Sequence, residues 1–249
     1  MSWNHEYIQL EDLELHYVRE GDGFPLVLVH GWPEYWRVWR KNIPILKESF
    51  DLIVPDLAGF GDSDVPTVPA TEGYGIGDHV DDVLALTEAL DIDEFGFVSH
   101  DLGAYAGQRL ARVHHESVRG LFFFDCPYPG IGKRWRDPDA FDEEDREAWF
   151  ETFSDSETLQ GGFYWYVAAD EARKRLMRDG APSLEPIEVP TRFLWGERDP
   201  IVKSEWSDRL DEYFADFTLD TVPDAGHYVH YERPNLTNEE VASFFTDLL

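Results

Sequence analysis

The sequence predicts an α/β protein: a mostly parallel sheet with helices on both faces, interrupted once by a short helical cap insertion. Three observations carry that expectation. Short apolar runs alternate with stretches of helical spacing along most of the chain, the pattern of strands buried on both faces and joined by helices. A chain of 249 residues that is 43% hydrophobic is long and apolar enough for one sizeable core. The alternation then breaks between about Pro127 and Pro190, where charge, aromatics and helix breakers such as Pro129, Gly130, Gly161, Gly162 and Pro186 accumulate.

Taken in order, Ile8–Leu10 and Leu13–Val18 read as an opening pair of strands. Leu26–Val29 is a wholly apolar strand ending at His30-Gly31. Leu52–Val54 is another, followed by the turn-rich run Asp56-Leu57-Ala58-Gly59-Phe60-Gly61, which reads as structural. Val80, Val83, Leu84, Leu86 and Leu90 share one face of a helix. Strand Phe95–Val98, helix Leu102–Val113 and strand Val118–Phe124 follow. Helical pieces are expected near Glu143–Phe153 and Tyr164–Arg178. Beyond them come strand Thr191–Trp195, helix Lys203–Tyr213, strand Phe217–Val222 and helix Leu236–Leu249. Residues 1–126 and 191–249 are thus the expected core, and 127–190 a cap over the carboxyl ends of the strands, where open parallel sheets place ligands.

The charge is unusual. Fifty-one acidic residues against 21 basic ones give a formal net charge of −30, spread along the whole chain with only five lysines. Such a field repels nucleic acid and reads as a solvated surface adapted to concentrated salt, which screens the self-repulsion. Melting temperature and activity are therefore expected to rise with salt; a protein most stable at low salt would refute this. No run of about 18 apolar residues is present to span a membrane. The opening Met1-Ser2-Trp3-Asn4-His5-Glu6 has no basic-then-apolar signal pattern. Cys126 is the only cysteine, so neither an internal disulfide nor a thiolate metal cluster is expected. A soluble, cytoplasmic protein without metal or organic cofactor follows. Its partners would be a small apolar organic molecule and water, with no nucleic acid and no membrane.

The chemistry concentrates in Phe97-Val98-Ser99-His100-Asp101-Leu102-Gly103-Ala104, a strand running through a sharp turn into a helix. Small residues two before and two after the central position let strand and helix approach closely. Centring on Asp101 places Ser99 and Gly103 there; centring on Ser99 would place Phe97 and Asp101 there, which fails. Asp101 is therefore the candidate nucleophile. Asp199 lies just past strand Thr191–Trp195 and His227 past the next strand, giving the order nucleophile, acid, histidine. The backbone N–H groups of Trp32, in His30-Gly31-Trp32-Pro33, and of Leu102 can converge as an oxyanion hole. An ionised Asp needs no base to attack a tetrahedral carbon, and it yields an alkyl ester. His227, oriented by Asp199, then activates water against that ester. A carboxylate nucleophile thus selects an epoxide or a carbon–halogen bond.

These motifs resemble the epoxide hydrolase and haloalkane dehalogenase branch of the α/β-hydrolase superfamily, over most of residues 10–127 and 159–249. His30-Gly31-Trp32-Pro33 is similar to the epoxide hydrolase oxyanion motif, and Ser99-His100-Asp101-Leu102-Gly103 to the elbow of either family. The resemblance implies the α/β-hydrolase fold. It also makes Tyr166, in Gly161-Gly162-Phe163-Tyr164-Trp165-Tyr166, the proton donor to an epoxide oxygen, with Tyr128 a candidate second tyrosine. His30 and Trp149 are carried over as substrate contacts, Trp149 in the place of a halide-binding cap tryptophan. Two departures weigh on the dehalogenase reading. Leu102 stands where haloalkane dehalogenases carry Trp, and Leu102 and Tyr105 stand where fluoroacetate dehalogenases carry arginines. Epoxide hydrolysis to a vicinal diol is the first expectation and dehalogenation the second. A non-catalytic binding protein on the same fold is the third.

Overall fold

The computed structural model describes residues 2–67, 74–136 and 173–249. Its strands are β1 (His5–Gln9), β2 (Glu14–Glu20), β3 (Phe24–Val29), β4 (Phe50–Pro55), β5 (Phe95–His100), β6 (Val118–Phe124), β7 (Thr191–Gly196) and β8 (Phe217–Val222). They form one eight-stranded sheet in the order β1-β2-β4-β3-β5-β6-β7-β8. β1 and β2 pair antiparallel, as do β2 and β4, and the remaining neighbours are parallel. The helices are α1 (Ile43–Leu46), α2 (Ile76–Ala89), α3 (Gly103–Val113), α4 (residues 173–179), α5 (Val229–Glu232) and α6 (Pro234–Leu248).

The all-apolar strands are explained by burial on both faces. Because side chains alternate, Val27, Val29, Ile53, Phe97, Phe123 and Phe193 cluster with Val80, Val83 and Leu86 of α2 and Ala104 and Leu110 of α3. Their neighbours Leu26, Leu28, Leu52, Val54, Val98, Phe122 and Phe124 cluster on the opposite face. There they meet Val241 and Phe245 of α6, and Trp36, Trp39, Ile43 and Leu46. A polar clamp closes the loop after β4. Asp56 accepts the Trp36 N–H at 2.7 Å and the Asp62 N–H at 3.0 Å and faces His16 Nδ1 at 2.7 Å, so this segment is structural.

Lys203–Tyr213 is not an α-helix: residues Ser204–Glu212 form 3-10 turns, interrupted at Arg209 with φ −124° and ψ 18°. The break accompanies two contacts, Tyr128 Oη donating to the Trp206 carbonyl at 2.6 Å and accepting the Arg209 N–H at 3.2 Å. Among the described flanks of the segment between β6 and β7, Tyr128, Ile131, Ile187 and Val189 are buried in the core.

Sheet order also fixes where a site can form. From the centre, the chain moves outward through β3 to β4 on one side and through β5 to β6 on the other. The crevice beyond the carboxyl ends of β3 and β5 is therefore the switch point where open sheets bind ligands.

Candidate active site

Both loops at that crevice converge on Asp101. β5 ends at His100, and Asp101 follows with φ 47°, a left-handed conformation that Asp tolerates better than most residues. The sharp turn depends on Gly103: a Cβ there would lie 2.7 Å from the His30 carbonyl oxygen and 3.2 Å from Ser99 Cβ. The small residues predicted around Asp101 thus do the packing expected of them, and Ser99 Oγ is buried without a hydrogen-bond partner among the described residues. From the β3 side, the Trp32 N–H donates to Asp101 Oδ1 at 3.2 Å. The Leu102 backbone amide adds to the field that lowers the Asp101 pKa. The two loops thus meet at one carboxylate.

Asp199 and His227 come from the ends of the next two strands. His227 Nδ1 faces Asp199 Oδ2 at 2.8 Å, and His227 Nε2 lies 3.5 Å from Asp101 Oδ2. Asp199 is fixed in turn, because its Oδ1 accepts the N–H groups of Ile201 at 2.7 Å and Val202 at 3.0 Å. Burial alone would raise the Asp101 pKa, but the hydrogen bond and charge of His227 outweigh it and bring it to about 2. For His227 burial disfavours the charged form, yet hydrogen bonds and charges from Asp101 and Asp199 raise its pKa well above the ordinary value. The arrangement is an ionised carboxylate bonded by the Trp32 N–H beside an oriented imidazole. Chemically it can displace a leaving group and then activate water.

Beneath these residues lies a second buried ion pair that the sequence reading missed. Glu34 Oε2 accepts the Gly31 N–H at 2.6 Å and faces His100 Nδ1 at 3.0 Å. His100 Nε2 in turn donates to the His227 carbonyl oxygen at 2.7 Å. Carbonyl and carboxylate oxygens only accept, so both ring nitrogens of His100 carry protons. Burial opposes that charge, but Glu34 overcomes it and raises the His100 pKa. The pair ties the loop after β3 to the loop carrying His227. Asp125, one residue beyond β6, is also buried; it accepts the Gly196 N–H at 2.7 Å and the Val229 N–H at 3.3 Å. Burial first, and then the charge of Asp199, push its pKa well above the carboxylate range. Groups of histidines and carboxylates here approach metal-ligand spacing. His100, common to two of them, has no lone pair to offer.

Two predicted contacts are corrected. His30 is fully buried; its Nε2 accepts the Leu57 N–H at 3.1 Å and its Nδ1 donates to the Gly31 carbonyl at 2.7 Å. It braces the loop and has no ring nitrogen left for substrate. Tyr128 is equally buried, with its hydroxyl engaged by Trp206 and Arg209 as described above. Tyr166 and Trp149 lie outside the described residues. Among the described residues, Tyr105 and Tyr228 are partly buried tyrosines in the field of Asp101. Burial and that charge raise both pKa values.

The approach of the two loops is close enough to test. A Cβ on Gly31 would lie 2.6 Å from Asp101 Cβ and 3.1 Å from its Oδ1. Gly31→Ala is therefore expected to displace the carboxylate and lower kcat roughly 100-fold. Overpacking should cost about 1–3 kcal/mol of stability. Steady-state kinetics beside a thermal melt would check this, and an unchanged kcat would show that the loops separate freely.

Comparison with known proteins agrees with this architecture. The family model described as the alpha/beta hydrolase fold matches residues 25–161. The chain is 26% identical over 293 aligned residues to a soluble epoxide hydrolase of Corynebacterium sp. (strain C12), covering 98% of each protein. It is 35% identical over 143 residues to a haloalkane dehalogenase of Sphingobium indicum, spanning 57% of this chain and 47% of that protein. A mutant epoxide hydrolase from Bacillus megaterium, solved with its product, superposes with a TM-score of 0.79 at 21% identity. That match covers 97% of this chain and 100% of the other, and at this identity it speaks for the fold.

Proposed function

The chain belongs to the alpha/beta hydrolase fold family, and from that premise we propose that it hydrolyses epoxides to vicinal diols through an ester on Asp101. The observation that carries the reading is the carboxylate at the elbow. It is ionised, bonded by the Trp32 N–H, and within 3.5 Å of His227 Nε2. An Asp101 oxygen attacks an epoxide carbon, the carbon–oxygen bond breaks, and the strongly basic alkoxide takes a proton from an acid. We assign that acid to Tyr166 on its likeness to the cap tyrosine of epoxide hydrolases. His227 then accepts a proton from water, whose oxygen attacks the ester carbonyl carbon of Asp101. The oxyanion so formed rests on the Trp32 and Leu102 N–H groups; its collapse expels the second alkoxide, which takes the proton held by His227 to give the diol. The proton on the regenerated Asp101 acid returns to the tyrosinate, restoring carboxylate, imidazole and phenol. The cap assigned to residues 127–190 belongs to this reading; residues 137–172 lie outside the described ones.

Near-complete coverage of the Corynebacterium soluble epoxide hydrolase supports the reading. Dehalogenation by the same nucleophile is the second reading, favoured by the 35% identity to the Sphingobium enzyme. Leu102, which has no N–H on its side chain to hold halide, weighs against it. The experiment is turnover of a panel of small epoxides and haloalkanes, with diol and halide both measured. Diol formation that falls sharply in Tyr166→Phe is the expected result. Retained activity in Tyr166→Phe with loss in Tyr105→Phe or Tyr228→Phe would move the acid to one of those residues. Halide release without diol formation would make the protein a dehalogenase. No product from either set, with the protein folded, would leave a binding protein.

The described residues contain no helix long and apolar enough to cross a membrane.

A further inference from the structure

We propose that the protein carries a second ligand site, for a small organic carboxylate with an apolar body, beside the segment that follows Trp32. A pocket of about 430 Å³ lies between the segment following Trp32 and the segment following His227. Its volume falls within the range of small-molecule sites, roughly 300–1,000 Å³. Tyr35, Arg37 and Arg40 line one wall and Tyr228 and Tyr231 another, with Val38 and Pro33 adding apolar surface.

What marks these walls is that two guanidinium groups of one pocket lack a carboxylate partner among the described residues. Elsewhere in this chain of 51 acids and 21 bases, several bases find one. Arg19 pairs with Asp51, Arg119 with Glu94, Arg134 with Asp208, and Arg192 with both Asp220 and Glu240. Arg37, Arg40 and the adjacent Lys41 have no such partner among the described residues. Arg40 instead donates to the Arg37 carbonyl and to the Tyr231 hydroxyl, and its guanidinium stands 4.5 Å from the centre of the Tyr231 ring. Lys41 Nζ lies 3.5 Å from the same ring centre and donates to the Tyr231 carbonyl. Arg37 is exposed, and its side chain forms no bond among the described residues. The one acid in the lining, Glu34, is only 8% exposed, and its charge is offset by His100. Two guanidinium groups without counter-charge, beside two aromatic faces, favour a carboxylate on a flat apolar body. The surrounding field of −30 works against any anion. The site is therefore expected to strengthen with salt until competing anions fill it.

Benzoate is the probe, with benzamide as its uncharged control, titrated calorimetrically into the whole protein at one fixed ionic strength. We expect one benzoate per chain, bound at least about tenfold more tightly than benzamide, as a charge-assisted contact worth about 1.4 kcal/mol or more implies. Arg37→Gln should weaken benzoate about tenfold and leave the melting temperature and epoxide turnover unchanged, because its side chain holds nothing else in place. Arg37→Gln with Arg40→Gln should abolish benzoate binding. Equal affinity for benzamide, no binding at all, or benzoate binding that survives Arg37→Gln in a folded protein would overturn the proposal. Competitive inhibition of turnover that persists in Arg37→Gln would do the same, by placing benzoate at Asp101 instead.

Discussion

Asp101→Asn is expected to lower kcat by on the order of 10⁴-fold or more while the protein keeps its fold. The substitution keeps the size and shape of the side chain but replaces an anionic oxygen nucleophile with a neutral amide. The backbone should not object, because Asn accepts the left-handed φ of 47° at this position as readily as Asp does. The electrostatic consequences are separable from the chemical one. Asp101 has its folded-state pKa lowered from 3.8 to about 2, so its carboxylate contributes stability above the unfolded value. That contribution is lost as pH falls from about 4 towards 2. The amide of Asp101→Asn does not titrate there, so the variant should lose less stability than the wild type across that acid window. It should also give His227 a lower pKa, having removed one of the two carboxylates that raise it. Turnover measured beside thermal melts from about pH 2 to 7 tests both claims. Activity within tenfold of the wild type would remove Asp101 from the role of nucleophile.

How far the sequence could be read depended on how local the physics was. The strands were legible because their apolar runs are buried on both faces, so that Leu26–Val29 or Phe95–Val98 admits little else. The elbow was legible because Ser99, Asp101 and Gly103 lie within five residues, and the crowding that selects them is local. The helical turns of Trp36–Leu46 passed unread, since Pro44 and scattered tryptophans give no clean helical period. Ser204–Glu212 was misread because its α-spacing is broken by Tyr128, a partner some eighty residues earlier in the chain. The same non-locality hid Glu34 and His100. They are separated by 66 residues, and His100 reaches the His227 carbonyl across 127. Position next to Asp101 for His100, and directly after the apolar strand for Asp125, were the only signals available. His30 and Tyr128 erred in the opposite direction. Each stands beside the site in sequence, but its polar atoms turn into backbone contacts that no spacing reveals.

His227→Gln is expected to turn a catalyst into a protein that reacts once. Attack by Asp101 requires no base, so the ester should still form. Its hydrolysis requires a proton acceptor, and losing a general base typically costs about 10²–10⁴-fold. A burst of one equivalent followed by a stall is the expected time course. Intact mass should show an adduct of the full epoxide mass, mapped by peptide digestion to Asp101. In the wild type the same charges set the order of events. While Asp101 is ionised, it and Asp199 together hold the His227 pKa well above its ordinary value, and the imidazole is charged. Esterification removes the Asp101 charge, so the pKa falls and Nε2 becomes free to take a proton from water. The alkylation step, measured in a single turnover, should therefore be flat with pH wherever Asp101 is ionised and the proton donor keeps its proton. Ester hydrolysis should instead rise with pH through the lowered pKa of His227. An adduct lacking halide after exposure to a haloalkane would keep this mechanism and change the substrate. A folded His227→Gln protein that gains no mass from a substrate the wild type consumes would exclude attack by a carboxylate. The proton on His227 would then belong to different chemistry.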